Sequence, residues 1–166
     1  LMAMSYGNVY VASVAMGAKD EHTLKSFLEA EAYDGPSLII AYSHCVAHGF
    51  DLANGMAHQR DAVKSGSWPL FRYDPRHAHR GDHPFRLDSR EPSIPYREFA
   101  RTEARFAVLH RTDPDAAEEL AALAQHDIDE RWNFYSQLGQ LERWSEDDAF
   151  SHGVDAGEDA GEEVTS

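Results

Sequence analysis

Apolar positions gather in two short, uninterrupted runs near the start of the chain. Val9 to Ala15 (VYVASVA) and Ser37 to Tyr42 (SLIIAY) lack polar alternation. That pattern suits strands covered on both faces, as in a parallel sheet. Between them, Glu21 to Tyr33 sets Leu24, Phe27, Leu28 and Glu31/Ala32 at helical spacing. Asp34-Gly35-Pro36 stops that amphipathic helix, because Gly suits the C-cap region and Pro forbids continuation. Strand, helix and strand with short joints predict a right-handed βαβ unit.

Further along, the pattern changes. Ser43 to Gly55 is a polar connection holding His44, Cys45 and His48. Met56 to Ser65 reads as a short helix with Met56, Gln59, Ala62 and Val63 on one side. Ser67 to Tyr73 reads as a short or edge strand, since Pro69 lacks the N–H a central strand needs. Asp74 to Pro95 is proline-containing, charged and aperiodic, an irregular stretch of a length that usually wraps something or carries function. Tyr96 to Arg111 places Phe99, Thr102/Glu103, Phe106 and Leu109 at three- and four-residue steps. Asp113-Pro114 then supplies a cap and a first-turn proline. The helix that follows reaches about Leu141, its stripe running through Leu120, Ala121, Ala124, Ile128, Trp132, Tyr135 and Leu138. Such a stripe is packing surface rather than a cofactor box. No internal repeat is present.

Charge divides the chain unevenly. Of 166 residues, 29 are acidic and 15 basic, a formal charge of −14. Ser145 to Ser166 carries eight of the acids and no Lys or Arg. A segment so poor in apolar groups cannot bury enough surface to offset its ordering entropy, so it reads as a disordered, solubilising acidic tail. The overall acidity argues against a nucleic-acid binder. No run of 18 apolar residues exists to span a membrane. With no signal-peptide pattern at the start, the expectation is a soluble, cytoplasmic protein. The chain opens on Leu rather than Met, the look of a cut or truncated reading frame.

One cysteine among 166 residues excludes an internal disulfide and any self-contained iron–sulfur cluster. Cys45 is nonetheless placed where chemistry gathers, just beyond the carboxyl end of the second strand. Three readings stay open on the residues alone. It is a buried inert thiol, a nucleophile with His44 or His48 as base, or a metal ligand needing partners from elsewhere. His77, His79 and His83 match no compact metal site, and Arg76 and Arg80 beside them would repel a cation. The nine arginines between Arg72 and Arg111 face six acids and read as an ion-paired collar.

Four strings carry a resemblance. They are YGNVYVASVAMG (6–17), EAEAYDGPSLIIAYSHC (29–45), GSWPLFRYDPR (66–76) and FRLDSREP (85–92). Over roughly Leu1 to Leu138, in order and spacing, they resemble pyruvate:ferredoxin (flavodoxin) oxidoreductase. The match is to the carboxyl-terminal end of that very long enzyme, the later half of its thiamine-diphosphate-binding domain and the helices after it. The resemblance implies oxidative decarboxylation of pyruvate to acetyl-CoA on thiamine diphosphate and magnesium, with electrons passed through [4Fe-4S] clusters to ferredoxin or flavodoxin. It also implies that Cys45 is a thiolate ligand of the proximal [4Fe-4S] cluster, with His44 and His48 around it. The motif for magnesium and diphosphate is absent from this chain, as are the other cluster cysteines.

The expected fold class is therefore α/β. A partial parallel βαβ sheet of thiamine-diphosphate-binding type would be followed by a helical extension and the acidic tail. The expected division is 1–73 for the α/β part, 74–95 for the wrapping segment, 96–144 for the helices and 145–166 for the tail. The expected role is a carboxyl-terminal fragment or split subunit, inactive alone. Its partners would be the remainder of the oxidoreductase, a homodimer when complete, and through it ferredoxin or flavodoxin. The competing expectation is a non-catalytic assembly module in which Cys45 is structural.

Overall fold

The computed structural model describes residues 1–78 and 80–141. The acidic tail and His79 lie outside the described residues. The first strand, β1 (Tyr10–Val14), is followed by α1 (Asp20–Glu31) and β2 (Ser37–Ala41), as the apolar runs predict. Then come α2 (Gly55–Lys64), β3 (Phe71–Tyr73), α3 (Pro75–Ala78), β4 (Phe85–Leu87), α4 (Tyr96–Ala100), α5 (Ala104–Thr112) and α6 (Pro114–Leu138). The sheet order is β2-β1-β3-β4. β1 and β2 run parallel, with Tyr10 opposite Ser37 and Val14 opposite Ala41. β3 runs antiparallel to both β1 and β4.

The architecture is thus α/β, built on the expected parallel βαβ unit and closed by two short antiparallel strands. Three details differ from the sequence expectation. β2, expected to be covered on both faces, is an edge strand and largely exposed. β3 is interior rather than at an edge, and the proline is accommodated because Pro69 precedes the strand. β4 lies inside the stretch expected to be irregular and pairs with β3, so the sheet extends past residue 73.

Every residue of β1 is buried, which is the reason for its lack of alternation. On one face Val11 packs with Met4, Phe71 and Phe85, and Tyr135 and Leu138 of α6 close over them. The Phe71, Phe85 and Tyr135 rings lie 5.3 to 5.8 Å apart, at favourable aromatic distances. On the other face Tyr10, Ala12 and Val14 meet Ala30, Tyr33 and Ile39.

The helix α1 turns an unexpected side inward. His22, Thr23 and Ser26 are buried, while Leu24, Phe27 and Leu28 are 62%, 52% and 56% exposed. The inner side is polar because it covers a buried ion network. Arg72 grips Asp88 with Nε at 2.8 Å and Nη2 at 2.9 Å, and reaches Glu29 with Nη1 at 2.7 Å. His22 Nε2 lies 3.1 Å from Asp88, and the Tyr10 hydroxyl donates to Glu29 at 3.0 Å. Burial alone would raise the Asp88 carboxyl, but the bonds from Arg72 and His22 hold it well below the usual carboxylate range. Burial, followed by the charge of Glu29, pushes the Tyr10 phenol up.

The predicted helix Tyr96 to Arg111 is two helices. α4 ends as the Thr102 hydroxyl donates to Phe99 O at 2.7 Å, and Glu103 takes an extended conformation (φ −106°, ψ 124°) before α5 begins. The Asp113 carboxylate caps α6 by accepting from Ala116 N–H at 3.0 Å, as Asp-Pro predicts. No helix among the described residues is long and apolar enough to cross a membrane.

Candidate functional site

The carboxyl ends of the parallel pair β1 and β2 open onto one edge, where the joints after both strands meet the start of α2. After β1 the chain passes Gly17, whose N–H donates to Gln59 Oε1 at 2.8 Å. A Cβ at Gly17 would stand 2.7 Å from the Met56 backbone, so this position admits only glycine without displacing α2. After β2 the chain passes Tyr42, Ser43, His44 and Cys45 before a 3-10 turn at Val46–His48. Tyr42 N–H continues the ladder to Val14 O at 2.9 Å, and the Trp68 indole N–H reaches the same carbonyl at 3.1 Å.

Cys45 is exposed and free. His44 and His48, the candidate bases, are occupied elsewhere. His44 Nδ1 lies 3.3 Å from Gln59 Nε2, and His48 Nδ1 faces Glu103 Oε1 at 3.5 Å. The residues around the loop make an aromatic and polar wall. Phe50 stacks on His58 at 4.0 Å between ring centres and 8° between planes. The Tyr42 hydroxyl lies 3.2 Å from His58 Nδ1. His58 Nε2 lies 3.1 Å from Glu103 Oε1, although the N–H points off the line to that oxygen. Burial pushes the His58 imidazole down, against the opposing pull of Glu103, which favours its neutral form. Burial, with the Glu103 charge adding to it, pushes the Tyr42 phenol up.

Sequence reasoning placed Cys45, His44 and His48 at this edge, and the structure brings all three there. It missed His58, Phe50 and Glu103. Glu103 did carry a signal, since it falls on the apolar stripe of a predicted helix, and a carboxylate there needs a buried partner. His77, by contrast, is exposed on the short helix α3 with Nδ1 3.8 Å from Asp82, and His83 Nδ1 interacts with its neighbour Phe85. Among the described residues no group of three His, Cys, Asp or Glu side chains is arranged to hold a metal ion. The most apolar cleft, about 140 Å³ between α4, α5 and α6, is lined by Tyr96, Phe106 and Ala121 and includes none of the Cys45 loop.

Cys45, the one thiol in the sequence, thus stands exposed at the carboxyl edge of the parallel pair. No family model matches the chain. It is 57% identical over 142 residues to the pyruvate-flavodoxin oxidoreductase of Trichormus variabilis, covering 86% of this chain and 12% of that protein. It is 49% identical over 154 residues to a putative pyruvate-flavodoxin oxidoreductase of Synechocystis, and 46% identical over 140 residues to the pyruvate:ferredoxin oxidoreductase of Moorella thermoacetica. The chain is thus homologous to the 2-oxoacid oxidoreductases that act on pyruvate. It belongs with the pyruvate-flavodoxin and pyruvate:ferredoxin oxidoreductases, as the counterpart of one segment, and spans about an eighth of the length of these relatives.

Proposed function

We propose that this chain supplies one thiolate, Cys45, to a [4Fe-4S] cluster of a pyruvate:ferredoxin or flavodoxin oxidoreductase, and works only when joined to the rest of that enzyme. The observation that carries this reading is the exposed Cys45 at the carboxyl edge of β1 and β2, within a stretch homologous to those enzymes. A lone thiol fits a shared cluster rather than a self-contained one. One soft thiolate can occupy one corner of a cubane, and the remaining ligands must come from outside this chain. Such a cluster carries single electrons from the oxidative decarboxylation of pyruvate to acetyl-CoA toward ferredoxin or flavodoxin. In this reading thiamine diphosphate and magnesium are held by the remainder of the enzyme.

The chain's own residues support this by shape. The sheet is open at β2, where Leu38 and Ile40 are exposed on the face shared with Val11, while α1 on the opposite face exposes Leu24, Phe27 and Leu28. An unpaired strand edge flanked by apolar side chains is the surface a larger sheet and its helices would cover. The partner at that face is the rest of the oxidoreductase.

Two measurements test the reading. Anaerobic incubation of the isolated chain with iron and sulfide should yield no stable cluster absorption, and a cluster bound by the monomer would overturn the proposal. In an oxidoreductase reassembled with this chain in place of its counterpart segment, pyruvate-dependent reduction of flavodoxin should return. Cys45→Ala should abolish that electron transfer while leaving thiamine diphosphate binding intact.

A further inference from the structure

The loop carrying Cys45 is gripped from the far side by the start of α5. Glu103 is 1% exposed, and Arg105 Nε donates to its Oε2 at 2.6 Å. Its other oxygen, Oε1, faces His58 Nε2 at 3.1 Å and His48 Nδ1 at 3.5 Å. Both nitrogens are buried and neither is aligned for a hydrogen bond, so the carboxylate engages them by close electrostatic contact. Arg105 brings a full positive charge to this carboxylate.

A second grip lies beside the first. Ala104 N–H donates to Gly49 O at 3.1 Å. Gly49 has φ +71°, and a Cβ there would stand 2.6 Å from Ala104 Cβ, so the turn seats directly on α5. His48 N–H in turn donates to Cys45 O at 3.0 Å. A continuous path of contacts runs from Glu103 through His48 to the backbone of Cys45.

We propose that Glu103 is a positioning residue for Cys45: by holding His48 and His58 it fixes the 45–50 turn against the helical extension and so sets the place of the thiol. The consequence for a cluster rests on the reading of Cys45 given above, whereas the grip itself does not. The helices after residue 96 then do more than pad the sheet, since one of their side chains governs the ligand loop.

The full chain tests this, because its single thiol accepts a nitroxide label at Cys45 alone. Wild-type protein should show a restricted nitroxide line shape. Glu103→Gln should sharpen it and accelerate exchange of the His48 and Ala104 amides about tenfold, the equivalent of about 1.4 kcal/mol. Gly49→Ala, which breaks the second grip without touching any charge, should produce the same local signature. Glu103→Asp, shorter but still charged, should fall between. Wild-type line shapes and exchange rates in both Glu103→Gln and Gly49→Ala would overturn the proposal. So would equal acceleration of the Val11 to Val14 amides, which would reduce Glu103 to a general contributor to stability. If Cys45→Ala instead leaves electron transfer intact in the reassembled enzyme, the cluster reading falls and these exchange results stand unaltered.

Discussion

Asp88 and Glu103 are carboxylates withdrawn almost wholly from water, and the two regions around them hold them differently. Asp88 receives the two-pronged fork of Arg72 and the ring of His22, and Arg72 goes on to bind Glu29. Glu103 has one well-made bond, from Arg105, and two histidines set off-line. The first arrangement joins α1, β3 and the chain after β4 in fixed geometry, and charge-assisted forks of that kind are strong and directional. The second joins a loop to a helix start with contacts that tolerate small displacement. The difference separates a brace, far from Cys45, from a support beside it. The molecule places its best-satisfied charges under α1 and its less complete ones where the Cys45 loop is held.

The largest effect should come from breaking the brace. Arg72→Leu takes the two-pronged fork from buried Asp88, leaving it only His22 and the exposed Arg86, and takes the 2.7 Å partner from half-buried Glu29. Removing one partner of a buried pair costs about 3–5 kcal/mol. Urea unfolding should show it, and a loss below about 1 kcal/mol would mean the network is weaker than its geometry. A smaller and more selective effect comes with pH. The folded-state value of Asp88 is depressed, so its contribution is complete above about pH 4, the ordinary carboxylate value, and is lost as pH falls through the lower folded value. His58 is also depressed, but from an ordinary value of about 6.5, so its contribution fades earlier on acidification. Stability followed from pH 8 to pH 2 should therefore fall in two stages. His58→Gln should remove the upper stage and Asp88→Asn the lower.

Legibility in the sequence followed the same division. β1 could be read because complete burial leaves no polar alternation to confuse the run, whereas β2 shows the same apolar run although it is an edge strand largely exposed within this chain. The Cys45 edge could be read because a parallel βαβ unit presents its chemistry at the carboxyl ends. β4 could not, since Phe85–Leu87 is three residues between prolines and charges and holds no period. The break between α4 and α5 was hidden because Thr102 and Glu103 continue a helical pattern, and only the need of Glu103 to face the histidines opens the helix there. Most instructive is α1. Its spacing was read correctly, but apolar spacing does not say which side faces this chain's own core. His22 and Ser26 turn inward because Asp88 and Arg72, far along the sequence, wait beneath them.

That orientation of α1 supplies the smallest predicted effect and the sharpest contrast. Its inner face sits over the charged brace, and its outer face presents Leu24, Phe27 and Leu28 to solvent. Substituting Leu24→Gln and Leu28→Gln together keeps good helix formers at both positions. Because those side chains pack little within this chain, the change in its own unfolding free energy should stay within about 0.5 kcal/mol per site. Self-association measured by light scattering should fall, since an exposed apolar patch is removed. In the reassembled oxidoreductase the same pair should lower the yield of active complex if, as proposed, the face it alters meets the rest of the enzyme. A loss of about 2 kcal/mol or more in the isolated chain would show instead that the outer face of α1 is packed against the chain itself. The brace beneath α1 would then no longer account for the direction in which that helix turns.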